Sequence, residues 1–371
     1  MKKIGVVTWL GGGNYGTSLQ SYALNHKLTM MGYKAYQIVR IDITHQAWLK
    51  RNLKIFLISL GLWTVKQHIF LNRLPLFRKK LFMFEKEAYR FKKIYSRRSL
   101  NKVIRCIDVF CCGSDQIWNT AYRFDGFMFL DFAKNKKRIS YASSIGVKNI
   151  PEPHKEKVAA LLSRFSHISV REISGVKALK ELLPTKDIVS VLDPTFLLNK
   201  EEWSDMAHKA KLEFKLPQKY MLCYFVGDRP QYIQQLQDVV SKTGNKNVIA
   251  VTFQNKKIAL KNVFTYYDAG PREFVYLLEH ADFVCTDSFH ATAMSINFGK
   301  NFVEFLRFND DDSNSQNSRI YDLLSHYGLR QRLYDIENTE WLSDIDYSKV
   351  NDKLAKDRFL SEEYLLKAIE E

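Results

Sequence analysis

Acidic residues are scarce in this chain. Of 371 residues, 56 are Lys or Arg and only 40 are Asp or Glu, a formal charge of +16. That imbalance points to an anionic partner: a phosphorylated substrate, an anionic lipid surface or nucleic acid. Cysteine is scarce too. Cys106, Cys111, Cys112, Cys223 and Cys285 form no CxxC or metal spacing, and they read as buried thiols of a reducing compartment. The Asp and His residues also lack ligand spacing, so no metal is expected. No apolar run reaches the roughly 18 residues that span a bilayer. The opening MKKIGVVTWL is too short for a secretory signal and runs into glycines. A cytoplasmic protein is expected. Low-complexity tracts, heptads and short repeats are missing as well. What remains is 46% hydrophobic, enough for real cores, and long enough for two domains.

Strand and helix patterns alternate along the chain. Lys3–Thr8 reads as a strand, followed by a glycine loop (GGGNYG, 11–16), a helix over 17–31 and a strand over 33–39. That βαβ opening starts a doubly wound sheet. The loop is not the dinucleotide fingerprint GxGxxG. Its tip places Asn14, Tyr15 and Gly16 as polar and stacking groups for an acceptor. Further strands are expected over 103–112, 138–143, 167–170 and 188–191. After a linker with a helix over 201–211, the pattern repeats over 220–305. An amphipathic helix over 320–327 follows. Two α/β halves facing a cleft result. The division is 1–196 for the first domain, with an insert over 45–100, then 197–345 for the second and 346–371 for a helical tail.

The insert departs from the alternation. Residues 50–98 hold fourteen Lys or Arg against Glu85 and Glu87, and so carry most of the excess charge. Leu, Phe and Trp are interleaved. Such a segment reads either as an interfacial membrane element or as helices packed on their own domain. RNA is a third option, but no recognised RNA-binding module accompanies it, and no nucleic-acid partner is expected.

Three stretches carry chemistry. In VCTDSFHATAMSINFG (284–299) an apolar strand ends in Thr286-Asp287-Ser288, a helix-start signature. Phe289 and His290 then fall in the first turn, at the positive end of the helix dipole. Ser288, Phe289 and His290 thus form an anion site with a titratable proton donor. GSDQIWN (113–119) sits at the carboxyl end of a strand, where open α/β sheets bind ligands. Ser114, Asp115, Gln116 and Asn119 suit sugar hydroxyls, and Trp118 could stack on a sugar ring. Arg171 stands at another strand end. It suits a phosphate or carboxylate, or else holds its loop by an ion pair with Glu172 or an Asp.

GGGNYG, GSDQIWN, SVRE (169–172), LDPTFLL (192–198), TDSFHATAMSINFGK (286–300) and NSRIYDLL (317–324), in that order, resemble the polysaccharide pyruvyl transferase family. The resemblance covers roughly residues 3–330. It implies two Rossmann-like halves in a GT-B-like arrangement. It also implies transfer of a pyruvyl group from phosphoenolpyruvate to a sugar as a cyclic ketal, with phosphoenolpyruvate as co-substrate and no other cofactor. His290 is then the acid/base, with Asp115 orienting or deprotonating the acceptor. Arg171, Ser288, Phe289, His290 and Arg319 bind the donor. The acceptor sugar is expected to be lipid-linked, with the enzyme peripheral on an anionic membrane. A nucleotide-sugar glycosyltransferase on the same frame is the alternative, and a non-catalytic membrane- or RNA-binding module built on 50–98 is a second.

Overall fold

The computed structural model describes residues 1–10, 14–41, 75–121, 123–147, 149–252, 258, 260, 262–312 and 315–371. Two parallel five-stranded sheets organise it. In the first, β1 (Lys3–Val7), β2 (Lys34–Arg40), β3 (Phe91–Ile94), β4 (Val109–Cys112) and β5 (Lys137–Ser140) lie in the order β3-β2-β1-β4-β5. A short parallel pair, β6 (Ile168–Val170) and β7 (Ile188–Ser190), continues this sheet through bridges from Ile139 and Ser143. The second contains β8 (Met221–Phe225), β9 (Val248–Thr252), β10 (Val263–Tyr266), β11 (Phe283–Thr286) and β12 (Asn301–Glu304), in the order β10-β9-β8-β11-β12. The protein is therefore α/β with two Rossmann-like domains. The central strands of both sheets are largely apolar and buried, as strands covered on both faces are.

Each sheet reverses its strand order once, between β1 and β4 and between β8 and β11. Ligands of open α/β sheets bind beyond the carboxyl ends of such strands. Gly113–Asp115 follow β4, and Asp287–His290 follow β11.

Two helices tie the halves together. Helix α1 (Tyr15–Met30) starts at the first switch point, yet Tyr15, Leu19 and Ala23 share a core with Tyr224, Phe274 and Met294 of the second half. The last helix, Tyr347–Glu370, begins on the second half, where the Tyr347 hydroxyl donates to Lys300 O at 2.6 Å. It ends on the first, burying Leu365, Ala368 and Ile369 against Ile4, Val6 and Val109.

Two expectations need correction. The strand over 103–112 is shorter than the apolar run: Arg97–Cys106 is a helix, and only Val109–Cys112 is strand. Ser96 and Ser99 close a capping box that starts this helix, and local capping outweighed the β-branched Val103 and Ile104. The basic insert is not a separate module over its described part, which is packed into the fold. Leu76–Ala88 is a helix that buries Phe84 in the second half's core, and Phe91–Ile94 is the edge strand β3. Lys80 Nζ of that helix meets Glu213 and the Tyr266 hydroxyl, both at 2.8 Å. Arg272 pairs with Glu87 at 2.8 Å. The outward face still shows Arg78, Phe82, Met83 and Lys86. Residues 42–74, which take in the first part of the insert, and Gly11–Gly13 of the glycine loop lie outside the described residues.

Candidate functional site

The site is assembled where the two switch points meet. Helix Phe289–Asn297 starts immediately after β11, with Ser288 as its N-cap residue. The expected side-chain capping is not made: Ser288 makes no cap bond through its side chain, and its N–H donates to Thr286 Oγ1 at 3.1 Å. Asp287 turns instead to the second half's own loop, accepting from the N–H groups of Val226 (2.6 Å) and Gly227 (2.7 Å) and from the Tyr232 hydroxyl (2.9 Å). The first-turn amides of this helix thus keep their positive end without a side-chain cap.

His290 sits in that first turn, 6% exposed. Its Nε2 lies 3.6 Å from Asp193 Oδ2, which is a charge contact longer than a hydrogen bond. The other side of the ring is closed by Gly16. A Cβ there would lie 2.3 Å from His290 Nδ1, so only glycine permits this approach between the halves.

Asp193 is the group that sequence reasoning passed over. LDPTF reads as a turn closing a strand, and it does form one: Asp193 Oδ1 accepts from the Thr195 N–H at 2.9 Å. Its second oxygen faces the site. Oδ2 accepts from Arg171 Nη1 (2.9 Å) and Ser114 Oγ (3.1 Å) besides facing His290. Burial alone would raise the Asp193 carboxyl, but His290 and Arg171 hold it far below the usual carboxylate range. Burial would likewise lower Arg171, and Glu172 and Asp193 raise it instead. The ion-pair reading of Arg171 is therefore present twice over, since Nε also donates to Glu172 Oε1 at 3.1 Å. One nitrogen is not consumed. Arg171 Nη2 is buried and has no hydrogen-bond partner among the described residues. The guanidinium lies over the Phe289 ring, 4.2 Å from its centroid.

Arg319 is the second buried cation. It donates from Nη2 to Gln316 Oε1 at 2.7 Å. Among the described residues no carboxylate lies within ion-pair distance of it. Burial, and then Arg171, push its guanidinium down to about 9. Glu172 and Asp115 offset this only in part, and a buried cation of this kind favours a bound anion.

The GSDQIWN residues divide. Ser114 and Asp115 belong to the buried framework. Asp115 adopts φ 72°, and its carboxylate accepts from Thr17 Oγ1 and the Gln116 N–H, both at 2.9 Å. The Gln116 amide crosses the interdomain cleft to Gln316 at 2.7 Å, lies 2.9 Å from Asn119, and its oxygen can accept from Arg319 Nη1 at 2.9 Å. Trp118 is corrected. It is 1% exposed, stacked on Phe129 at 5.7 Å, with Nε1 donating to Met128 O. A ring enclosed in this way offers no face to a sugar. Tyr15 is corrected for the same reason: it stacks on Phe274 at 4.8 Å, and its hydroxyl donates to Ala269 O. Asn14 caps helix α1 by accepting from the Gly16 N–H at 3.0 Å. Among the described residues no group of His, Cys, Asp and Glu is placed to hold a metal ion, and no helix is long and apolar enough to cross a membrane.

A cavity of about 940 Å³ opens over Arg171, Asp193, Phe289 and Arg319. What the arrangement can do follows from its parts: two buried cations and a helix N-terminus bind an anion, and a histidine beside a carboxylate moves a proton.

A family model described as polysaccharide pyruvyl transferase matches residues 14–307. No curated protein matches the chain. Among solved structures, a putative UDP-N-acetylglucosamine 2-epimerase from Listeria monocytogenes is similar at 11% identity and TM-score 0.50, over 98% of this chain and 94% of that one. An S. aureus MnaA–UDP structure is similar at 11% identity and TM-score 0.51, over 98% and 91%. At such identities the likeness is one of fold.

Proposed function

Since the chain belongs to the polysaccharide pyruvyl transferase family, we propose that it moves a pyruvyl group from phosphoenolpyruvate to two hydroxyls of a sugar, closing a cyclic ketal. The observation that carries this reading is the buried Arg171, with Nη2 unsatisfied beside His290 and the first turn of helix Phe289–Asn297. Phosphoenolpyruvate holds a phosphate and a carboxylate close together. Arg171, Arg319 and the Ser288–His290 amides offer cations and donors to both groups.

The chemistry balances as follows. His290 gives a proton to C3 of the enol, which leaves C2 electron-poor. One sugar hydroxyl attacks C2. The C2–O bond to phosphate breaks, and the second hydroxyl closes the ring on C2. Two hydroxyl protons are lost; one replaces the proton given to C3, and the other leaves with phosphate. Asp193 stabilises the charged imidazole and orients it, as a carboxylate beside a catalytic histidine does. Asp115 acts indirectly, since its oxygens hold Thr17 and the Gln116 backbone.

The acceptor is proposed to be lipid-linked, with the outward face of helix Leu76–Ala88 lying on an anionic membrane. The chain's +16 charge supports this. The test incubates purified protein with phosphoenolpyruvate and lipid-linked saccharides. Phosphate release together with the mass gain of a pyruvyl ketal supports the reading. Transfer from nucleotide sugars without use of phosphoenolpyruvate sinks it.

A further inference from the structure

The cavity over Arg171 is far larger than a phosphoenolpyruvate molecule needs. Only its floor belongs to the donor residues. One wall is formed by β7 and the turn after it, the other by helix Asn317–His326 and the final helix, Tyr347–Glu370. The volume lies in the range typical of whole-ligand sites.

Its lining has a definite chemistry. Tyr327 and Tyr364 supply aromatic surface. Carboxylates outnumber cations around them: Glu172, Asp187, Asp322 and Glu363 line the space, with Lys367 as a basic side chain among them. In a chain of +16 charge this acidic lining runs against the average. Glu172 is 4% exposed, and its Oε2 is buried with no hydrogen-bond partner among the described residues. That oxygen is an acceptor available to a donor from outside the protein. Ionised carboxylates only accept hydrogen bonds, and sugar hydroxyls donate them. Aromatic rings cover the C–H faces of a pyranose. On the opposite side of His290, Gly16 packs against the ring. This cavity is lined by Arg171, Asp193 and Phe289, the neighbours of His290, whereas the space beside Asn14 and Tyr15 is far smaller.

We propose that the outer part of this cavity seats the acceptor saccharide, and that its carboxylates restrict the bound unit to a neutral or amino sugar. The proposal rests on the transfer reading above and replaces the acceptor surface expected from GGGNYG and GSDQIWN. Electrostatics divide the cavity. The anionic donor goes to the floor, where Arg171 and Arg319 lie, and a uronate in the outer part meets carboxylates instead.

The test uses p-nitrophenyl β-glucoside, β-glucosaminide and β-glucuronide as probes, with binding measured by ligand-observed NMR at low salt. The first two are expected to bind, and the glucuronide roughly tenfold or more weakly, a gap of about 1.4 kcal/mol. Asp322→Asn should narrow that gap. Leu360 lines the cavity mouth and is 51% exposed, so Leu360→Trp fills the mouth without touching the core. It should weaken both uncharged and amino probes by roughly tenfold, with an unchanged melting temperature. Equal binding of the glucuronide, binding indifferent to Leu360→Trp, or no binding by any probe overturns the proposal. Phosphate release keeps the two claims apart. If the probes bind here but phosphoenolpyruvate is never consumed, the transfer reading fails alone. If transfer proceeds and Leu360→Trp leaves the acceptor KM unchanged, the acceptor site lies elsewhere and the transfer reading stands.

Discussion

His290 Nε2 and Asp193 Oδ2 lie 3.6 Å apart, and the same Asp193 oxygen accepts from Arg171 Nη1. One carboxylate oxygen therefore faces both the Arg171 guanidinium, proposed to hold the anionic donor, and the His290 ring, proposed to move the proton. Asp193→Asn should remove both effects. Leaving Arg171 buried with half its compensation costs about 3–5 kcal/mol. The pH dependence has a definite sign. A carboxylate whose native pKa is depressed stabilises the fold above its unfolded value, near 3.9, and loses that contribution as pH falls below it. The stability gap between wild type and Asp193→Asn should be full at neutral pH and close as pH drops below about 4. Urea melts across that range check this; a gap independent of pH contradicts it.

Arg171→Lys keeps the charge but loses the planar fork that meets Glu172 and Asp193 while leaving Nη2 unspent. Phosphoenolpyruvate affinity should fall by about tenfold or more, and acceptor affinity should hold. Titration of each ligand separately decides the matter. Equal losses for both would make Arg171 a purely structural residue.

Arg319 is buried without a carboxylate at ion-pair distance among the described residues, and its guanidinium is pushed down to about 9. Such a cation costs stability until an anion arrives. Arg319→Gln should therefore raise the melting temperature of the ligand-free protein, by an amount equivalent to about 1 kcal/mol or more. It should also abolish the stabilisation that wild type gains from phosphoenolpyruvate. A variant less stable than wild type, yet still stabilised by phosphoenolpyruvate, would contradict this assignment.

Charge on helix Leu76–Ala88 has two separate uses. Lys80 pins the helix to Glu213 and Tyr266, so Lys80→Ala should cost about 1 kcal/mol of stability. Arg78 and Lys86 lie on its exposed face. Reversing both to Glu should weaken binding to anionic vesicles by about 1 kcal/mol per charge at low salt, with stability unchanged. Vesicle sedimentation that ignores the double reversal and the salt concentration would defeat the membrane proposal.

The sequence made parts of this legible for physical reasons. A strand ending in small oxygen-bearing residues, followed at once by a helical period, could hardly be other than β11 and its helix, and that placed His290. Arg171 was recognisable as a strand-end cation, and the structure shows both its ion pairs and its unspent nitrogen. Trp118 and Tyr15 were misplaced because an aromatic next to a ligand loop has the same pattern whether it faces a sugar or a core. Asp193 was hidden by its neighbours, since Asp-Pro-Thr satisfies every requirement of a turn and only the fold brings its second oxygen to His290. The Lys80–Glu213 contact spans 133 residues of chain, a distance over which no periodicity carries information.

The most direct test of the account follows phosphate release from phosphoenolpyruvate, with a lipid-linked saccharide acceptor, in wild type and in His290→Gln. The substitution keeps a polar side chain of similar size in the buried first turn, so the melting temperature should hold. Wild type should release phosphate only when the acceptor is present and should yield a pyruvyl ketal. Turnover of the variant should fall by a factor on the order of 10² or more, the scale of a lost general acid. Turnover in the variant close to that of wild type would contradict the role of His290 and, with it, the account of this site.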